Sequence, residues 1–204
     1  MHGVVLGSLG KKVIIFESRK EHELRAEAAG LSLGPHAQQL LRKYVASSTT
    51  MAIQASCSQI LSPMGDVLNE IPPAFSVTTS TWNIVFDQLK EKFIEKGKSE
   101  PKRVYEAGIK VTKFEDTGPD TPIKLYYRDE SLGPDKSVEA AMVIAADGAR
   151  STILGQLQPD LQPKYAGYVA WRGFVPEIQT PYVLRGALEG KLLFAPLEGH
   201  YIIA

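Results

Sequence analysis

Residues 11–18 read KKVIIFES, four apolar side chains in a row that stop on the carboxylate of Glu17. No other stretch restricts the fold as much. An apolar run without alternation is a strand buried on both faces, the form that strands of parallel sheets take. The preceding HGVVLGSLG puts Val5, Leu6 and Leu9 at helical spacing with Gly10 as the stop, so a helix feeds the strand as in an αβ crossover. In a dinucleotide-binding βαβ unit, a carboxylate at such a strand end accepts ribose hydroxyls, and a glycine loop about 20 residues upstream holds the pyrophosphate. Only sixteen residues precede Glu17, and Gly3, Gly7 and Gly10 are not spaced as G-x-G-x-x-G. The strand end therefore predicts the ribose half of such a site without the phosphate half. The alternative is a solvated Glu17 that opens the polar loop ESRKEHE.

The rest of the chain alternates helical and β patterns. AAGLSLGPHAQQLLRKY predicts a short extended piece and then a helix from Gly34-Pro35, with Ala37, Leu40, Leu41 and Tyr44 on one face. IQASCSQILSPMGDVLNEI predicts a hairpin about the turn SPMGD. STWNIVFDQLKEKFIEKG is a helix that Ser80 or Thr81 can cap, striped by Trp82, Val85, Phe86, Leu89 and Phe93 and ended by Gly97. From residue 102 onward the pattern is strands: RVYEAGIKVTKFED, IKLYYRD and the buried run EAAMVIAA, which empties into DGARS. YAGYVAWRGFV, YVLRGALEG, KLLFAPLEG and HYIIA follow as short β-type pieces. There is no internal repeat. The expected architecture is a parallel sheet carrying VIIF and MVIAA with helices at 35–44 and 81–96, interleaved with a β-rich layer.

Composition excludes several classes of function. At 204 residues, 44% hydrophobic and 23% charged, the chain is globular rather than disordered. Lys plus Arg and Asp plus Glu both total 23, so no net field draws in nucleic acid or anionic membrane, and a small uncharged substrate is expected. Cys57 is the single cysteine, which excludes an internal disulfide, and no Cys/His spacing suggests a metal site. His2, His22, His36 and His200 are scattered without partners. No run approaches the ~20 apolar residues of a membrane span, and the N-terminus lacks the make-up of a signal peptide. A cytoplasmic location is expected.

The second place where chemistry gathers is MVIAADGARS. Its small residues let a backbone pass close to a ligand, and Asp147-Gly148 turns the chain at the edge where ligands of open α/β sheets bind. Asp-Gly is also a common plain turn. Together, GVVLGSLGKKVIIFES, AAGLSLGPHAQQLL, TSTWNIVFDQL, VIAADGARS and YAGYVAWRGFV resemble, in order and over nearly the whole chain, the FAD-dependent aromatic hydroxylases, or class A flavoprotein monooxygenases. The strand at Trp171, Arg172 and Gly173 points to the 2,6-dihydroxypyridine 3-monooxygenase-like branch. By itself that strand reads as a packed core tryptophan beside an exposed arginine.

The resemblance implies an α/β fold: a partial Rossmann-like FAD-binding layer (1–50 and 76–155) interleaved with a β-sheet substrate-binding layer (51–75 and 156–204). It implies that Glu17 binds the adenosine ribose of FAD and that Asp147 and Gly148 touch both FAD and NAD(P)H, on the same sheet edge as Glu17. It implies that Gly30 lies where the backbone nears the cofactor. Arg25 is the candidate contact to the flavin diphosphate or a solvated loop residue. The implied reaction is reduction of FAD by NAD(P)H followed by oxygen-dependent hydroxylation of a small aromatic or N-heteroaromatic ring, with the cofactor carrying the oxygen chemistry.

Two departures qualify the expectation. The family pattern has an arginine three residues after the serine of DGARS, where this chain has Leu154. The glycine loop and a downstream Gly-Asp motif for the ribityl chain have no counterpart, so the expected chain is a partial member truncated at both ends. It would bind FAD weakly, lack turnover, and self-associate or pair with a full-length relative. The rivals are a nicotinamide-dependent dehydrogenase using Glu17 in the same way, and a non-enzymatic paralogue acting as a binding or interaction module.

Overall fold

The apolar run at 13–16 lies in a strand, Val13–Glu17, of a mixed α/β fold. The computed structural model describes residues 1–26, 29–45, 52–72, 78–95, 103–129, 133–173 and 175–204, apart from the side chains of Arg25 and Ala26. In chain order the first elements are α1 (His2–Ser8), β1 (Val13–Glu17), α2 (Glu21–Ala26), β2 (Gly30–Leu33), α3 (Pro35–Tyr44), β3 (Ile53–Gln54), β4 (Cys57–Leu61), β5 (Val67–Ile71), β6 (Thr78–Thr81) and α4 (Trp82–Ile94). They are followed by β7 (Arg103–Ala107), β8 (Ile109–Glu115), β9 (Ile123–Asp129), β10 (Lys136–Ala140), α5 (Thr152–Leu157), α6 (Tyr182–Leu188), β11 (Lys191–Leu197) and β12 (His200–Ile203). Short 3₁₀ turns occupy Gly148–Arg150 and Glu177–Gln179. Among the described residues no helix is long and apolar enough to cross a membrane.

The chain divides into two units. One comprises Met1–Lys11, Glu27–Ser99 and Arg172–Ala204. Its larger sheet has the order β12-β11-β4-β5, with β4 and β5 forming the expected antiparallel hairpin and β11 joining β4 in parallel. A smaller sheet has the order β2-β6-β3. Helix α4 begins where it should: the Thr81 hydroxyl accepts the Ile84 N–H, satisfying one of the donors a helix N-terminus leaves open. Trp82 stacks on Phe86 one turn later, with ring centroids 4.6 Å apart, and Phe93 is 2% exposed. Helix α1 packs on α3 and α4 and buries Val4. In α3 the buried face runs through Leu41, and Leu40 turns outward.

The other unit comprises Lys12–Ala26 and Glu100–Trp171. β1 and β7 pair in parallel, Val13 opposite Arg103 through Glu17 opposite Ala107, and β8-β9-β10 form an antiparallel meander. The Phe16 ring lies 4.6 Å from that of Tyr127 in β9, which ties β1 to the meander. Leu24 of α2 is fully buried, and Ile109, Leu125 and Ile153 complete the core. The Phe114 N–H donates to the Gln156 side-chain oxygen at 3.0 Å, fixing α5 on β8.

Four expectations fail. VIIF is not buried on both faces: Ile14 is 38% exposed, and among the described residues β1 has β7 alone beside it. The run MVIAA is not a strand: β10 ends at Ala140, residues 142–147 pair with no strand among the described residues, and Met142 and Ile144 are exposed. The hairpin with β9 draws the polar KSVEA into the ladder instead, and an apolar run becomes a central strand only where neighbours take up its backbone groups. YVLRGAL is helix α6 rather than strand, because Pro181 starts it and the Arg185 guanidinium donates to the carbonyls of Thr180 and Ile178 at 2.8 and 2.9 Å. Those local bonds are invisible to an alternation count. YAGYVAWRGFV carries no strand in its described part, and Trp171 is 94% exposed rather than packed.

Candidate functional site

β1 ends on Glu17, whose side chain is about a quarter exposed. Its Oε1 accepts the Arg19 backbone N–H at 2.9 Å and has the Arg19 Nε at 3.5 Å, so the carboxylate shapes the turn that follows it. The Gly108 N–H donates to the Arg19 carbonyl at 3.0 Å, a position that needs the positive φ of 76° found there. The Lys20 N–H donates to Glu23 Oε2 at 2.9 Å, which caps the start of α2. Glu17 Oε2 has no hydrogen-bond partner among the described residues. Two registers back, Tyr105 sits opposite Ile15 with its hydroxyl buried. Burial, then the charges of Glu17 and Glu21, push its pKa up to about 12 against the opposing pull of Arg19.

Asp147 stands before the 3₁₀ turn at Gly148–Arg150. Its Oδ2 accepts the Thr152 N–H at 2.8 Å, and the Ser151 hydroxyl accepts the Leu154 N–H at 2.9 Å, so two side chains cap α5. Partial burial opposes ionisation of Asp147, but hydrogen bonds from the Ser151 hydroxyl and from backbone N–H groups, those of Thr152 and Ile153 among them, outweigh it and hold the carboxyl below its ordinary range. Gly148 turns at φ 78°, with open space where a Cβ would stand. Asp147, Gly148 and Ser151 open onto a pocket of about 250 Å³ whose other walls are Ala145, Ile153, Leu154 and Leu157. Leu154, at the position where the family pattern has arginine, makes that wall apolar.

The structure thus brings Asp147 and Gly148 together in one pocket. Glu17 does not line it, although it belongs to the same unit. Gly30 opens β2 opposite Thr81 in the other unit, with open space around its Cα. The backbone of Arg25 lies in α2, and its side chain falls outside the described residues. Sequence reasoning passed over Arg19, Tyr105 and Ser151. Arg19 and Ser151 could have been found two residues after Glu17 and in the cap position of α5, but only the β1–β7 pairing reveals Tyr105. Among the described residues no group of His, Cys, Asp and Glu could hold a metal ion.

No protein-family model matches the chain. Over 66 residues, 32% of this chain, it is 38% identical to an aurachin C monooxygenase/isomerase of Stigmatella aurantiaca, a match spanning 15% of that protein. FqzB superposes with a TM-score of 0.63 at 17% identity, over 90% of this chain and 42% of FqzB. The flavin-dependent monooxygenase PieE, solved with FAD and substrate, superposes with a TM-score of 0.61 at 17% identity over 76% of this chain and 29% of its own. The p-nitrophenol 4-monooxygenase PnpA of Pseudomonas putida DLL-E4 gives 0.57 at 17% identity over 76% and 39%. The chain has the mixed α/β fold of these proteins and spans less than half of their length.

Proposed function

We propose that the chain is part of an FAD- and NAD(P)H-dependent monooxygenase, of the 2,6-dihydroxypyridine hydroxylase-like branch, that hydroxylates a small aromatic or N-heteroaromatic ring. These 204 residues alone would bind the flavin too weakly for turnover. The observation that carries the reading is β1, a parallel strand ending on a carboxylate about a quarter exposed, with Oε2 open among the described residues, in a chain with the fold of PieE. When bound, FAD supplies the redox and oxygen chemistry.

The residues present fit the ribose end of such a cofactor. Glu17 Oε2 would accept a ribose hydroxyl while Arg19 holds Oε1. Asp147 would fix the turn at which Gly148 lets a ligand approach the backbone, and Gly30 would offer a second bare backbone position. The fit does not extend to the diphosphate: no G-x-G-x-x-G occurs in the 204 residues, and Arg25 is the remaining candidate. Residues 1–50 and 76–155 would form the cofactor layer, and 51–75 with 156–204 the substrate layer.

A hydrogen bond contributes on the order of 1 kcal/mol net, whereas micromolar binding needs about 8 kcal/mol, so Glu17 alone cannot retain FAD. The test is a titration of the purified chain with FAD and, separately, with NADH, followed by flavin fluorescence and calorimetry. Weak FAD binding that Glu17→Ala abolishes is the expected result. Copurification with stoichiometric FAD would overturn the weak-binding part. Binding of NADH with none of FAD would favour a dehydrogenase, and binding of neither an interaction module.

A further inference from the structure

We infer that Gly108 is a positioning residue for Glu17: its amide, presented by left-handed backbone, holds the turn that occupies one carboxylate oxygen and leaves the other for a ribose hydroxyl. The ligand rests on the cofactor reading above, and the clip itself does not. Glu17 is the last residue of β1 and pairs with Ala107, the last residue of β7, so the two strands end side by side. Beyond that point the chain turns through Ser18 and Arg19 toward α2 after the one strand, and through Gly108 alone into β8 after the other. The Arg19 backbone is gripped from both sides of this divide. Its N–H donates to Glu17 Oε1 at 2.9 Å, and its carbonyl accepts the Gly108 N–H at 3.0 Å. Both anchors are firm, because Ile109 next to Gly108 is buried and Leu24 of α2 is fully buried.

The clip depends on a backbone conformation that other residues resist. Gly108 has a φ of 76°, where a side chain crowds the following carbonyl. Space is not the obstacle: among the described residues a Cβ at Gly108 would meet only Lys20 Cγ, at 3.8 Å, an ordinary contact. Alanine there must bear the left-handed strain or let φ return and aim the amide away from Arg19. Asparagine enters that region more readily and should keep the hydrogen bond. A released Arg19 frees Oε1, and the glutamate side chain then samples rotamers that it must give up again to accept a ligand. A side chain ordered in advance loses less on binding.

Hydrogen exchange on the unmodified chain tests the clip without any substitution: the Arg19 and Gly108 amides should exchange at least about tenfold slower than in an unstructured peptide. Gly108→Ala should then speed the Arg19 amide about fivefold more than the amides of β9, and Gly108→Asn should keep it within about twofold. A residue serving stability alone would speed both sets equally. In FAD titrations followed by flavin fluorescence, Gly108→Ala should raise the dissociation constant about threefold or more, and Gly108→Asn should leave it near that of the unmodified chain. Fast exchange at either amide of the unmodified chain overturns the inference. So does an Arg19 amide that changes only in step with β9, a Gly108→Asn chain no better than Gly108→Ala, or FAD binding undiminished in Gly108→Ala. If the Arg19 amide responds as expected and none of the three chains quenches flavin, the cofactor reading fails and the positioning of the carboxylate stands.

Discussion

The Arg19 backbone N–H donates to the Glu17 carboxylate at 2.9 Å, so the residue that ends β1 also holds the turn after it. Glu17→Ala removes that acceptor and should lower stability by about 1 kcal/mol, whereas Glu17→Gln keeps an oxygen there and should lose less. Urea midpoints at unchanged slope would measure both. Equal losses would show that the ion pair with the half-exposed Arg19 matters more than the hydrogen bond.

Tyr105 reports on the same carboxylate. Burial and then the Glu17 charge raise its pKa to about 12, so the fold favours the neutral phenol. The stability linked to this is fully present below the unfolded tyrosine value of about 10 and is lost as pH rises through 12. Absorbance of tyrosinate near the red edge of the protein band should therefore show one tyrosine titrating late. Glu17→Gln should bring that titration down.

Asp147 behaves in the opposite sense. Its carboxyl is held below the ordinary range by hydrogen bonds, so its contribution is present above the unfolded value of about 3.9 and is lost as pH falls through the lower folded value. Asp147→Asn should flatten this acid limb and leave stability at neutral pH reduced by the loss of one charged cap, a difference visible in melting temperatures at pH 3 to 7.

Phe93, 2% exposed, is the best-buried large side chain of α4. Phe93→Ala should cost roughly 3–5 kcal/mol. Near-ultraviolet dichroism of the Trp82–Phe86 stack in the same helix would register the loosening.

What the sequence disclosed was local. Helix α1 with its stop at Gly10, α4 with its Thr81 cap and the β4–β5 hairpin each rest on contacts within a few residues, and patterning captures those. The apolar run before Asp147 misled because hydrophobicity says that a segment seeks partners, not that partners lie beside it. Arg185, donating back to Thr180 and Ile178, made a helix of a segment whose composition favours strand. That a strand ends on Glu17 was legible because a strand end is a local event. Its companions Arg19 and Tyr105 required, respectively, the turn geometry and the neighbouring strand.

The parallel pairing of β4 with β11 has a temporal consequence. The Ser56 hydroxyl donates to the Gly190 carbonyl across 134 residues, and β4 meets its inner neighbour just beyond that point. On a ribosome adding about 5–20 residues per second, β4 waits roughly 7–27 s for that neighbour to be made. Through that interval the hairpin of β4 and β5 lacks the strand that pairs with Cys57, a residue buried in the finished fold, and an isolated hairpin is marginally stable at best. Codon tempo downstream of residue 61 and chaperone supply, rather than the final stability of the fold, should therefore set the yield of soluble chain.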